Sequence, residues 1–160
     1  MKTIAYTSPF VPPEWIAAHG LQPYWLRLRA AGSPSTAGLS RGVCPYAGAV
    51  IDAALGEMEA SAVVVTTACD QMRYAAAVLE QDVDLPVFLF SVPSTWQSAT
   101  AGRLYFDELR RLGRFLVRLG GKAPNAEGLR RVMREYDAAR AEVLTARERL
   151  SAEHHADPLA

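Results

Sequence analysis

The stretch Val63-Val64-Val65-Thr66-Thr67-Ala68-Cys69-Asp70 decides the fold. Ser61 to Thr67 is an apolar, β-branched run of buried-strand length, apolar at successive positions, and the residues from Asp70 to Gln81 have the spacing of a helix. A strand hidden on both faces and followed at once by a helix is the unit of a parallel sheet covered on both sides. The same unit recurs outward. Thr3 to Tyr6 reads as a short buried strand, and Pro12-Pro13-Glu14 opens a short helix, with proline in its first turn and an acidic residue at its positive end. That helix should run to about His19 and stop at Gly20. Tyr24 to Leu28 predicts a second strand, Tyr46 to Met58 a helix entered through Pro45, and Pro86 to Ser91 a last strand. Between them, Ala31 to Gly42 is rich in Gly, Ser, Thr and Pro and reads as a mobile loop.

From Thr100 the strand pattern ceases. A helix is predicted near Ala101 to Leu119, then a Gly120-Gly121 break, then a second helix from Ala126 to Leu150. Leu129, Val132, Met133, Tyr136, Val143, Leu144 and Leu150 make an intermittent apolar stripe on the latter, as on a helix that packs one face on the sheet or a neighbour. The fold class is therefore α/β, a parallel sheet of about four strands flanked by helices. Residues 1–100 form the α/β domain and residues 101–160 a helical extension packing on it.

Half of the 160 residues are apolar, enough for one domain with a hydrophobic core. Seventeen basic residues balance seventeen acidic ones, so charge gives no reason to expect a nucleic-acid partner. No apolar run reaches the roughly 20 residues that cross a bilayer, and the start lacks the apolar segment of a signal peptide. A cytoplasmic protein is the expectation. In that compartment two cysteines are free thiols or metal ligands rather than a disulfide.

Cys44 and Cys69 occupy equivalent places. Cys44, in Gly42-Val43-Cys44-Pro45-Tyr46-Ala47, ends a loop and begins a helix, and Cys69 is delivered by a strand to the C-terminal edge of the sheet just before another helix. The positive end of a helix favours the metal-binding thiolate, and that edge is where parallel α/β sheets bind ligands. A small buried hydrophobe is the competing reading of each thiol. Two thiols alone do not complete a zinc or iron–sulfur site. His19, His154 and His155 read as exposed or incidental. Trp15, Trp25 and Trp96 read as core or interface aromatics, Glu14 as a helix-start residue and Arg73 as a solvated helix arginine. No proton-transfer role falls to Glu14, Tyr6 or Ser40.

Taken together, the chain resembles the 2-hydroxyacyl-CoA dehydratase family, which includes the benzoyl-CoA reductase subunits. The resemblance runs through Tyr6-Thr7, Pro12-Pro13-Glu14, Ala18-His19-Gly20 and Pro23. It continues through Cys44-Pro45-Tyr46, Thr66-Thr67-Ala68-Cys69-Asp70-Gln71-Met72-Arg73, Pro86-Val87-Phe88, Pro93 and Tyr105-Phe106-Asp107-Glu108-Leu109. It implies that Cys44 and Cys69 are two ligands of a 4Fe-4S cluster whose third cysteine comes from a later α/β domain, one iron staying open. It also implies an acyl-CoA substrate, a homologous dehydratase subunit and an ATP-dependent activator that supplies one electron. That electron would reduce the thioester carbonyl to a ketyl, which expels the neighbouring hydroxyl group in dehydratases; the aryl-CoA relatives keep electrons in the ring. Under the resemblance Arg73 could place positive charge near the cluster or bind substrate phosphate. The chain has no third cysteine and stops where the family's second domain would start. It is thus expected to be an N-terminal domain or a short relative, inactive alone. A non-catalytic iron–sulfur electron-transfer module and a metal-free protein-interaction domain of the same fold are the alternatives.

Overall fold

The computed structural model describes residues 1–26, 28, 43–56, 59–82 and 84–147. Among them the order is β1 (Thr3–Tyr6), α1 (Pro13–Ala18), β2 (Gln22–Trp25), α2 (Pro45–Leu55), β3 (Ala62–Thr66), α3 (Asp70–Asp82), β4 (Val87–Phe90), α4 (Ala99–Arg118) and α5 (Ala126–Arg147). The four strands form one parallel sheet in the order β2-β1-β3-β4. The α/β class and the strand count expected from the sequence both hold.

The packing explains why β3 carries no polar alternation. Successive side chains of a strand point to opposite faces. Val63 and Val65, with Ala5, meet Val50, Ile51, Ala54, Ala75 and Leu79 of α2 and α3. Ala62 and Val64, with Ile4, Phe88 and Phe90, meet Ile16 of α1 and Leu112, Phe115 and Leu116 of α4. Every residue of β3 is consequently buried.

Differences from the sequence reading fall at element ends. The second strand occupies Gln22–Trp25 instead of Tyr24 to Leu28, because its register is set by β1, Thr3 opposite Gln22 through Tyr6 opposite Trp25. Pro23 is tolerated there because β2 is an edge strand and bonds on one side only. Helix α4 starts two residues early, at Ala99, where Ser98 caps it with Oγ accepting from Ala101 N at 3.1 Å. The predicted loop Ala31 to Gly42, Met58 and the end of the last helix at Leu150 lie outside the described residues.

Met1–Ala123 and Pro124–Ala160 are two compact units. Helix α4, the first part of the predicted extension, closes the core of the first unit. Helix α5 belongs to the second and has no buried residue; Met133, Val143 and Leu144 are exposed on it. Among the described residues no helix is long and apolar enough to cross a membrane.

One residue needs correction. His19, expected to be exposed or incidental, is buried at 2% exposure. Its Nδ1 lies 2.7 Å from Trp15 O, its ring packs edge-on against Trp15, and its carbonyl accepts from Lys122 N at 2.9 Å. Helix α4 can cross it because Gly113 has no side chain: a Cβ there would lie 3.2 Å from His19 Nε2. Burial lowers the His19 pKa below the usual 6.5, the bond to Trp15 opposing this in part. The unfolded chain therefore binds the proton more readily, so stability should fall as pH drops through 6.5 and level off below the folded-state value. Urea midpoints at pH 7.5, 6.5 and 5.5 should show this slope, and His19→Gln should flatten it. A slope unchanged in His19→Gln would mean that the buried ring is not its source.

Candidate functional site

The strand order creates the site. Chain connections leave β1 toward β2 on one side and enter β3 on the other, so the connections after β1 and β3 diverge onto opposite faces. Such a switch point opens a crevice at the C-terminal edge of a parallel sheet. Thr7 follows β1 there, and Thr67, Ala68 and Cys69 follow β3.

Cys44 is the N-cap of α2. Its backbone is extended (φ −68°, ψ 150°), Pro45 holds the first helical position, and Sγ accepts from Ala47 N at 3.4 Å. A sulfur in this place satisfies one of the orphan amides at a helix start and keeps its remaining lone pairs for another partner. Cys69 immediately precedes α3. Its carbonyl accepts from Met72 N at 3.1 Å and Arg73 N at 3.3 Å, which begins the helix and leaves the side chain exposed. Cys44 is partly buried.

Two hydrogen bonds tie the Cys44 segment to its neighbours, one to the Cys69 segment and one to the end of β1. Cys44 N donates to Gln71 Oε1 at 3.0 Å, which ties the backbone of one cysteine to the residue two places after the other. Tyr46, two places after Cys44, donates its hydroxyl to Thr7 O at 2.5 Å. Burial of the Tyr46 phenol pushes its pKa up, and Cys69 adds to this electrostatically. The phenol therefore stays a hydrogen-bond donor across the ordinary pH range. Cys44 and Cys69 thus belong to one edge, their segments joined through Gln71, with Tyr46 tying the Cys44 segment to Thr7.

A second set of bonds ties this edge to β4. Thr67 Oγ1 accepts from Val92 N at 2.9 Å, and Ser91 N donates to Glu108 Oε1 at 2.6 Å. Glu108 is buried on α4 and paired with Arg111 at 2.6 Å, and Arg111 also donates to Leu89 O and covers the Phe88 ring. Burial alone would raise the Glu108 pKa, but the Arg111 and Ser91 hydrogen bonds and the Arg111 charge outweigh it and hold the carboxyl below its usual 4.5.

Other residues singled out in the sequence fall as follows. Arg73 pairs with Asp70 at 3.6 Å in an exposed i,i+3 pair, the solvated arginine expected. Trp15 is a core aromatic whose Nε1 donates to Leu109 O at 2.9 Å. Tyr6 is buried and packs edge-on to Trp25. Glu14 sits in the first turn of α1 as expected, and its charge acts on Tyr105 of α4. Ser40, His154 and His155 lie outside the described residues. Gln71, Tyr46, Thr67 and Thr7 were not singled out as site residues, although the first three lie within two residues of a cysteine in sequence; Thr7 is distant in the chain and is brought there by β1. A glutamine in a helix's first turn reads as a surface residue until the amide it accepts from is known.

Thr7 Oγ1 is buried without a hydrogen-bond partner among the described residues. Among those residues no group of three or more His, Cys, Asp or Glu could hold a metal ion. The two thiols, each at a helix start on segments that Gln71 joins, have the donor chemistry for two ligands of a cluster and leave the rest of its coordination to other groups.

A model of the 2-hydroxyglutaryl-CoA dehydratase D-component matches residues 9–158. The chain belongs to this family. Comparison with curated proteins gives no match. The span shared with the D-component family contains both cysteines, Tyr46, Gln71 and the Thr67 to Val92 link, and it runs on through α4 and α5.

Proposed function

We propose that this chain is a component of an iron–sulfur 2-hydroxyacyl-CoA dehydratase, with Cys44 and Cys69 as two protein ligands of a 4Fe-4S cluster. The observation that carries this reading is the Cys44 N to Gln71 Oε1 bond, which couples the two thiol-bearing segments at the switch point of a family chain. When bound, such a cluster supplies one-electron chemistry and an iron able to take an oxygen ligand. The chain's own residues do the positioning. Helices α2 and α3 both direct their positive ends to this edge, which favours negative charge there. Tyr46 and Gln71 hold the loops, and Thr7 Oγ1 is a hydroxyl able to donate to a group bound beside them.

The remaining cluster ligand would come from another part of the enzyme. The partners that fit this role are a homologous dehydratase subunit, an ATP-dependent activator as electron source and an acyl-CoA substrate. The test begins with anaerobic reconstitution of the chain and measurement of iron, acid-labile sulfide and the visible spectrum. Stoichiometric cluster, with dehydration of a 2-hydroxyacyl-CoA appearing only when activator, ATP and partner subunit are added, is the expected result. Turnover by the chain alone would overturn the assignment as one component. The two-donor set among the described residues also suits an electron-transfer module, which would show reversible cluster redox without turnover. A folded chain that takes up no cluster would leave a metal-free interaction domain.

A further inference from the structure

Beside the cysteine edge stands a pair of aromatic rings that the cluster reading does not use. Phe10, in the loop after β1, and Trp96, in the loop after β4, stack with ring centroids 5.7 Å apart and planes 15° from parallel. Both are exposed, Phe10 at 37% and Trp96 at 51%. The pair is built rather than collapsed. Tyr105 donates its hydroxyl to Phe10 O at 2.9 Å, packs edge-on against Trp96 at 5.1 Å, and itself rests on the buried Phe90.

Its loops are the ones already bonded to the cysteine segments. Thr7, three residues before Phe10, accepts from Tyr46, and Val92, four residues before Trp96, donates to Thr67, two residues before Cys69. The rings therefore stand on the same edge of the sheet, on backbone that hydrogen bonds tie to both cysteine segments. The chemistry of the two segments is one-sided. Thr7 to Pro13 and Ser91 to Gly102 contain no charged residue, and the next cation, Arg103, donates to Thr100 Oγ1 at 3.1 Å. Phosphates call for Arg or Lys at hand, whereas an aromatic ledge whose own two segments carry no charge suits the apolar end of a ligand.

We propose that the Phe10–Trp96 stack seats the acyl group of the thioester and selects aromatic or otherwise flat apolar acyl groups over small ones. This deepens the acyl-CoA reading above and rests on it. A flat ring on the ledge adds aromatic contact that a two-carbon acyl group cannot make.

Calorimetric titration of the full chain with CoA, acetyl-CoA and 3-phenylpropanoyl-CoA tests the proposal. The phenylpropanoyl thioester should bind roughly five- to tenfold more tightly than acetyl-CoA, the upper half of what one aromatic contact contributes. Trp96→Ala and Phe10→Ala should each reduce that preference to less than about twofold, while Trp96→Phe should keep most of it. Both positions are exposed, so the melting temperature should be preserved and the loss readable as binding. Equal affinity for the two thioesters overturns the selection by the ledge and leaves acyl-CoA binding standing. An equal loss for CoA and both thioesters in Trp96→Ala also overturns it, since the rings would then be holding the nucleotide end. No binding of CoA or of either thioester overturns both the ledge and the acyl-CoA reading, without touching the cluster, which iron and sulfide content measures separately.

Discussion

Cys44→Ala and Cys69→Ala should each bring the iron and sulfide taken up on anaerobic reconstitution down to background, with loss of the visible cluster absorption. The structure gives each thiol a different supporting role, so the two variants should separate in a second respect. Cys44 Sγ also caps α2 by accepting from Ala47 N. Its replacement should therefore lower stability by about 0.5 to 1 kcal/mol, the cost of losing a cap, here a weak sulfur one. Cys69 is exposed and caps nothing through its side chain, so Cys69→Ala should leave the urea midpoint unchanged. Gln71→Leu removes the acceptor of Cys44 N without touching a thiol. Supporting groups of this kind are worth about 10- to 100-fold in metal affinity, and Gln71→Glu, which keeps an acceptor, should retain more of it than Gln71→Leu. Cluster content at wild-type level in both cysteine variants would remove the basis of the iron–sulfur assignment.

Phe90→Ala should cost about 3 to 5 kcal/mol in urea unfolding, the range for emptying a fully buried aromatic site. Phe90 is completely buried, contacts Phe88 and Tyr105, and sits where β4 faces α1 and α4. The cavity would open directly behind Tyr105, so the Phe10–Trp96 stack should loosen as well, which near-ultraviolet circular dichroism reads. Val117→Ala, on the exposed side of α4, is the control and should stay within about 0.5 kcal/mol. A loss below about 1 kcal/mol for Phe90→Ala would contradict the core described here, because a filled, rigid site cannot relax around so large a deletion.

The fold was largely legible because its signals are local. The run Val63 to Val65 has the unbroken apolar character of a strand buried on both faces, and the strand-helix alternation around it leaves few alternatives to a parallel sheet. Cys69 could be placed by the same reasoning, since a residue between a buried strand and a helix must lie at the C-terminal edge. The second strand was displaced by two residues because an edge strand's start is set by its neighbour's register. His19 was misjudged because the residue that buries it, Gly113, is far away in sequence and declares nothing about histidine until α4 lies across α1.

By itself the sequence determined the α/β class, the helix starts that carry Cys44 and Cys69, and the family resemblance, since each depends on residues close together in the chain. Only the tertiary structure decided that Gln71 binds Cys44 N, that Tyr46 reaches Thr7 and that Phe10 stacks on Trp96. Those contacts join residues 27, 39 and 86 positions apart in the chain. Their partners meet because the all-parallel β2-β1-β3-β4 sheet brings the segments after β1, β2, β3 and β4 to one edge. Hydrogen bonds and ring contacts require angstrom-level proximity, which no local pattern encodes.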